Sequence, residues 1–161
     1  MPVGGWHRKK TMGHTYSNNL YHIIFSTKNR TGLLSDKIRD ELHRYIIGII
    51  RNQDCSLLEI NSVSDHIHLL YKIKPSLSVS DFVNKVKSNS SRWVKGRFEL
   101  PYKFQWQSGF SSFSVSESAA GQVIRYIENQ QEHHRTVSFE EELKTFLDKH
   151  GVDYDPMLYL D

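Results

Sequence analysis

The stretch CSLLEINSVSDHIHLLYKIK, residues 55–74, decides the fold. It holds two runs rich in Leu, Ile and Tyr, parted by a short polar step around Ser62 to Asp65, and Pro75 closes the second. So short a step has no room for a crossover, and the two runs pair as an antiparallel hairpin. Upstream, LYHIIFST (residues 20–27) is rich in β-branched and aromatic side chains and ends at the polar KNRTG, which predicts a first strand. Between this strand and the hairpin the period changes. Leu34, Ile38, Leu42, Tyr45, Ile46, Ile49 and Ile50 recur every three or four residues behind Ser35 as cap, giving a helix as far as Arg51. Downstream, Ser78 with Asp81 resembles a capping box, and Val79, Phe82, Val83, Val86, Trp93 and Val94 place an apolar stripe on a second helix, to Arg97. A fourth strand region follows Pro101, over residues 103–115, interrupted at Ser108-Gly109. The order β-α-β-β-α-β predicts an α+β, ferredoxin-like (RRM-like) antiparallel sheet, with both helices on one face and the other face open. Two more helices are expected. One spans residues 117–132 with Ala120, Val123, Ile124 and Ile127 on its apolar side. The other is opened by Ser138 with Glu141, carries the stripe Phe139, Leu143, Phe146 and Leu147, and stops at Gly151.

The chain has 161 residues, enough for one buried core. With 38% hydrophobic, 24% charged and 12% aromatic residues and only short apolar runs, it is neither disordered nor membrane-spanning. Arg8, Lys9 and Lys10 are followed by no apolar run, so residues 1–17 are expected to be a flexible basic leader rather than a secretory signal, with a single domain over 18–161. The one cysteine, Cys55, lies in an apolar stretch and fits a buried thiol in the reducing cytoplasm. Charge is uneven. Residues 1–100 carry 16 Lys and Arg against 8 Asp and Glu, and residues 101–161 carry 5 against 10. That asymmetry suits a polyanion on the first hundred residues, and equally a solvated basic surface.

Some residue patterns carry chemistry. His66-Ile67-His68 lies within a predicted strand, so both imidazoles point to one face while Ile67 and Leu69 point to the other. On an open sheet face, two such nitrogens can hold one divalent ion, or be plain surface histidines. Tyr126 and Gln130 stand four residues apart, on one helical face at the border of the apolar stripe. Docked beside the sheet, they bring a hydroxyl and an amide carbonyl to the same ion; otherwise Tyr126 buries its ring and wets its hydroxyl. Asp65 is read as a turn residue, and Trp93 as core. Lys85, Lys87, Arg92, Lys95 and Arg97 form the basic face of the second helix, and Lys28 and Arg30 follow the first strand.

Taken together, Tyr21-His22-Ile23-Ile24-Phe25, Asp65-His66-Ile67-His68-Leu69-Leu70, Trp106-Gln107-Ser108-Gly109-Phe110 with Phe113-Ser114, and Val123-Ile124-Arg125-Tyr126-Ile127-Glu128-Asn129-Gln130 resemble the HUH-endonuclease superfamily. Within it they are similar to the small single-tyrosine, TnpA-like transposases of bacterial insertion sequences and their relatives associated with repeated palindromes. The resemblance runs over residues 18–155. It implies that His66 and His68 bind Mg²⁺ or Mn²⁺, that Gln130 completes the ligands, and that Tyr126 attacks the scissile phosphodiester of single-stranded DNA. The products would be a 5′-phosphotyrosyl enzyme and a free 3′-hydroxyl. It further implies recognition of DNA hairpins at element ends, and a homodimer in which one subunit's tyrosine helix can complete the other's site. Lys28, Arg30, Lys85, Lys87, Arg92, Lys95 and Arg97 are the expected DNA-backbone contacts. The chain departs from the family at Gly109-Phe110-Ser111-Ser112-Phe113, where a Gly-Tyr-Gly is common before Phe-Ser. A general base for Tyr126 is not evident; His133 and His134 lie within two turns of it. Two rivals share the fold: a domesticated relative acting on chromosomal palindromes, and a non-catalytic module binding bases on an aromatic sheet face. The module would need aromatics where His66 and His68 stand.

Overall fold

In the computed structural model, which describes residues 14–157 and 159–160, the two central strands of the sheet are buried from both sides over most of their length. β1 (Asn19–Ser26) buries all its residues except Asn19 and Tyr21. β3 (His66–Ile73) buries all but Lys72. With β2 (Ser56–Ser62) and β4 (Ser111–Val115) they form one antiparallel sheet of order β2-β3-β1-β4, as the β-α-β-β-α-β reading requires. The expected leader falls mostly on residues 1–13, outside the described residues.

Strand alternation divides the side chains between two layers. Ile23, Phe25, Ile67, Leu69 and Tyr71 face α1 (Asp36–Asn52) and α2 (Val79–Arg97), where they pack with Ile38, Leu42, Ile46, Phe82, Val83 and Val86. Tyr71 stacks on Phe82 with ring centroids 3.8 Å apart. Ser78 caps α2 by accepting from the Asp81 amide, and Cys55 and Trp93 join this core.

The other face is not open, and here the structure corrects the sequence reading. Leu20, Ile24, Leu70 and Phe113 share that face, and so much apolar surface is stable only when covered. Leu20 and Leu70 pack under Ala120 and Ile127 of α3 (Ala120–Glu128), while Ile24 and Phe113 pack under Phe139, Leu143 and Leu147 of α5 (Phe139–Lys149). The helix expected over residues 117–132 is also interrupted. A 3-10 turn (Glu117–Ala119) leads into α3, Asn129 leaves helical geometry at φ −92° and ψ 18°, and the short α4 (Gln130–His133) follows. At the break, Asn61 Nδ2 donates to the carbonyls of Ile127 at 2.8 Å and Glu128 at 3.1 Å, pinning the end of α3 to β2. A complete capping box between Ser138 and Glu141 starts α5, and Gly151 follows it at φ 63°. The fourth strand is shorter than expected, because the chain before Ser111 meets the sheet only through an isolated bridge between Trp106 and Thr27. Among the described residues no helix is long and apolar enough to cross a membrane.

Candidate active site

β3 aims His66 and His68 at the second layer, where both are 0% exposed, so neither is a plain surface residue. Asp65 holds His66 Nδ1 at 2.7 Å, so its side chain orients the imidazole instead of only shaping the hairpin. His68 Nδ1 lies 2.8 Å from Nε2 of the buried His22 on β1. The Nε2 atoms of both β3 histidines turn to Glu142 Oε1 on α5, at 3.3 Å for His66 and 2.9 Å for His68. From α4 and the turn after it, His134 Nε2 and His133 Nε2 meet Glu142 Oε2 at 3.1 and 3.2 Å. His134 donates its Nδ1 proton to the Val137 carbonyl at 2.7 Å.

The α3–α4 break delivers the remaining residues. The Tyr126 hydroxyl donates a short hydrogen bond to Glu142 Oε2 and lies 3.3 Å from His133 Nε2. Gln130 is fully buried, with Nε2 3.3 Å from Glu142 Oε2. Its Oε1 has no hydrogen-bond partner among the described residues, which is costly for a buried carbonyl oxygen. A cleft of about 630 Å³ flanks the tyrosine, lined by Phe113, Val123, Phe146, Lys149 and His150 among others. Tyr126, His66, His68 and Gln130 thus converge within one chain.

Electrostatics centre on Glu142. Burial raises its carboxyl pKa, but hydrogen bonds from His134, His66 and His68 outweigh this and hold it well below the usual carboxylate range. Burial lowers His68 to about 4 against the opposing pull of Glu142, and burial together with His68 drives His22 well below its ordinary value. His66 moves the other way, because Asp65 and Glu142 overcome the effect of burial. Tyr126 is pushed above the usual phenol range by burial, then by the charge and hydrogen bond of Glu142.

The expected DNA-contact residues do not gather here. Lys85 and Lys95 line a groove between α2 and Gln105–Gln107, on the far side of the sheet from Tyr126. Lys87 lines the same groove but points inward: its Nζ donates to the carbonyls of Gln107 at 3.0 Å and Gly109, and lies over the Phe25 ring. Arg97 pairs with Glu41 at 3.0 Å and Arg30 with Glu140 at 3.7 Å, while Arg92 and Lys28 are exposed. Sequence reasoning gave no role to His22 or Glu142. Glu142 had a signal: it falls three residues after Phe139 and next to Leu143 in the apolar stripe of α5, where a charge is buried only with partners.

Residues 15–130 match the family model described as IS200-like transposase. The chain belongs to this family. The transposase of insertion sequence element IS200 from Salmonella typhimurium is 30% identical over 129 residues, 77% of this chain and 84% of the relative. The ISDra2 transposase TnpA from Deinococcus radiodurans is 28% identical over 127 residues, 76% and 90% of the two chains. A crystal structure of a Deinococcus radiodurans protein assigned as a transposase superposes with a TM-score of 0.60 at 31% identity, covering 76% of this chain and 97% of that one. The REP-associated tyrosine transposase, solved bound to a REP hairpin, shares the fold with a TM-score of 0.59 at 15% identity, covering 80% and 76%. The chain is therefore a transposase. The residues present fit a divalent metal. His66, His68, His134 and Glu142 offer donor atoms that all lie within 4.8 Å of one another, and Gln130, whose Nε2 reaches Glu142, has a buried carbonyl oxygen with no partner among the described residues.

Proposed function

We propose that this transposase cleaves and rejoins single-stranded DNA through a 5′-phosphotyrosine on Tyr126, at a site where His66, His68 and Gln130 hold Mg²⁺ or Mn²⁺. The observation that carries this reading is the meeting of the Tyr126 hydroxyl, the two imidazoles and the Gln130 amide, whose carbonyl oxygen is buried without a partner among the described residues, around one carboxylate. When bound, the metal polarises the phosphate oxygens and offsets the charge that builds on them. The chain supplies the rest. Tyr126 Oη bonds to phosphorus, the O3′–P bond breaks, and the released 3′-oxygen takes up a proton. Glu142 accepts the hydrogen bond of the Tyr126 hydroxyl and so lies on the path of the departing phenol proton. Rejoining reverses these steps with a different 3′-hydroxyl and needs no nucleotide cofactor, because the phosphotyrosine conserves the energy of the broken bond.

Hairpin DNA is the proposed substrate, supported by the hairpin bound to the REP-associated relative. The full residue set within one chain supports attack in cis, whether or not the enzyme is a homodimer. The test incubates the protein and Tyr126→Phe with single-stranded oligonucleotides from both flanks of its own gene, with Mn²⁺ or EDTA. An SDS-resistant protein–DNA adduct should require both metal and Tyr126. Metal-independent binding with no adduct, on DNA known to contain the flanking hairpins, points instead to a binding module.

A further inference from the structure

Two donors of the histidine cluster lie beyond the part of the chain that matches the family model, which ends at Gln130. We infer that His134 and Glu142 are themselves metal ligands, and that the resulting centre, three imidazoles and one carboxylate beside the Gln130 amide, takes a first-row transition ion, Mn²⁺ of the two ions proposed above, in preference to Mg²⁺. The inference rests on the proposal that His66 and His68 hold a metal.

Hydrogen bonding at the imidazoles leads to it. His134 Nδ1 faces the Val137 carbonyl, which can only accept, so that nitrogen carries a proton and, in the neutral ring, Nε2 holds the lone pair. His66 Nδ1 faces the Asp65 carboxylate, which leaves its Nε2 a lone pair in the same way. These two Nε2 atoms lie 3.0 Å apart. Where both rings are neutral two lone pairs meet at this contact, and a metal ion, like the proton that otherwise fills it, turns the repulsion into a shared bond. Glu142 Oε1 lies 3.3 Å from His66 Nε2 and 2.9 Å from His68 Nε2, and Oε2 lies 3.1 Å from His134 Nε2. Separations near 3 Å are what neighbouring ligands show around an ion with bonds of about 2.1 Å. The second-sphere contacts match as well: Asp65, Val137 and His22 each engage the remaining nitrogen of one ligand histidine.

Donor chemistry sets the choice of ion. Mg²⁺ takes oxygen ligands and keeps several waters, whereas imidazole nitrogen suits the series from Mn²⁺ to Zn²⁺. Three nitrogens and one carboxylate, all buried but the partly exposed His134, belong with the second group. Glu142 also ties the ion to the nucleophile, since its Oε2 carries the Tyr126 hydroxyl and Gln130 Nε2.

Co²⁺ is the probe, because its visible absorption reports the number and type of its ligands. The full chain and the variants His134→Ala, Glu142→Gln, Glu142→Asp and His68→Ala are titrated with Co²⁺ in the absence of DNA. Circular dichroism in EDTA confirms that each is folded. The inference expects a ligand-field band in the wild type that survives millimolar Mg²⁺ and is displaced by Zn²⁺. It expects at least tenfold weaker binding with an altered band in His134→Ala and Glu142→Gln, and partial recovery in Glu142→Asp, which restores the carboxylate. Wild-type affinity and spectrum in both His134→Ala and Glu142→Gln, with binding lost in His68→Ala, overturn the inference but leave the two-histidine site standing. Unchanged binding in His68→Ala overturns the metal reading itself, and displacement of Co²⁺ by millimolar Mg²⁺ overturns the ion preference. If Glu142→Gln unfolds, the spectra of Glu142→Asp and His134→Ala decide.

Discussion

Replacing Asn61 tests how the nucleophile is held. Its Nδ2 donates to the carbonyls of Ile127 and Glu128 and to Gln131 Oε1, at 2.8, 3.1 and 3.1 Å, at the point where α3 gives way to α4. A neutral hydrogen bond contributes on the order of 1 kcal/mol net. The Ile127 bond is partly buried and counts in full, while water replaces about half of each exposed one, so Asn61→Ala should cost about 2 kcal/mol. With a urea slope of about 2 kcal/mol per molar, the unfolding midpoint falls by about 1 M without a change in slope. Asn61→Asp separates the hydrogen bonds from mere side-chain volume. It keeps the shape but sets carboxylate oxygens against two carbonyl oxygens, and so should be less stable than Asn61→Ala. Because Tyr126 and Gln130 flank the break, adduct formation in both variants should fall by more than the change in folded fraction. Urea denaturation in EDTA and single-turnover adduct assays measure the two effects. An Asn61→Asp protein as stable and as active as wild type would refute the pinning.

Mixing Tyr126→Phe with a His66→Ala, His68→Ala double variant tests attack in cis: neither protein should form an adduct alone or together, and recovery on mixing would mean that the tyrosine serves a partner's metal site. Lys85→Ala with Lys95→Ala should lower the salt dependence of DNA binding by about 0.7 to 0.9 in the log–log slope per lysine, if each contacts one phosphate. An unchanged slope in titrations across salt concentrations removes this groove from the DNA path. His43, which lies 2.8 Å from Ser62 Oγ, is lowered from 6.5 to about 4 by burial and the charge of Arg39. Below pH 6.5 the unfolded chain takes up a proton that the folded one refuses, so this group costs stability progressively down to pH 4, by up to about 3 kcal/mol. His43→Gln should abolish that acid limb, and a constant difference between variant and wild type across pH 4–7 in urea midpoints would count against it.

Much of the first layer was legible because local periodicity and the hairpin step fix it. Leu34 to Ile50 and Val79 to Val94 form the helices their spacing predicts, and Asp65-His66-Ile67-His68 sits in a strand as alternation requires. The second layer was harder, because its cover comes from sequence far away. Leu20, Ile24 and Leu70 share a face with His66 and His68, an apolar pattern that already argues against an open sheet. The break at Asn129 depends on Asn61, 68 residues earlier in the chain, and no helical period encodes it. Glu142 could be singled out only as a charge within an apolar stripe, since its partners lie on β3 and in the turn after α4.

The covering helix α5 follows every strand in chain order, and this bears on how the enzyme comes into being during synthesis. Every residue of the sheet, α1 and α2 has left the ribosome once β4 has, but Glu142 arrives about 27 residues later. Until it does, His66 and His68 face water and Tyr126 lacks the carboxylate that receives its hydrogen bond. The site is therefore complete only once α5 docks, so the last helix to emerge is the one that joins the nucleophile to the histidines.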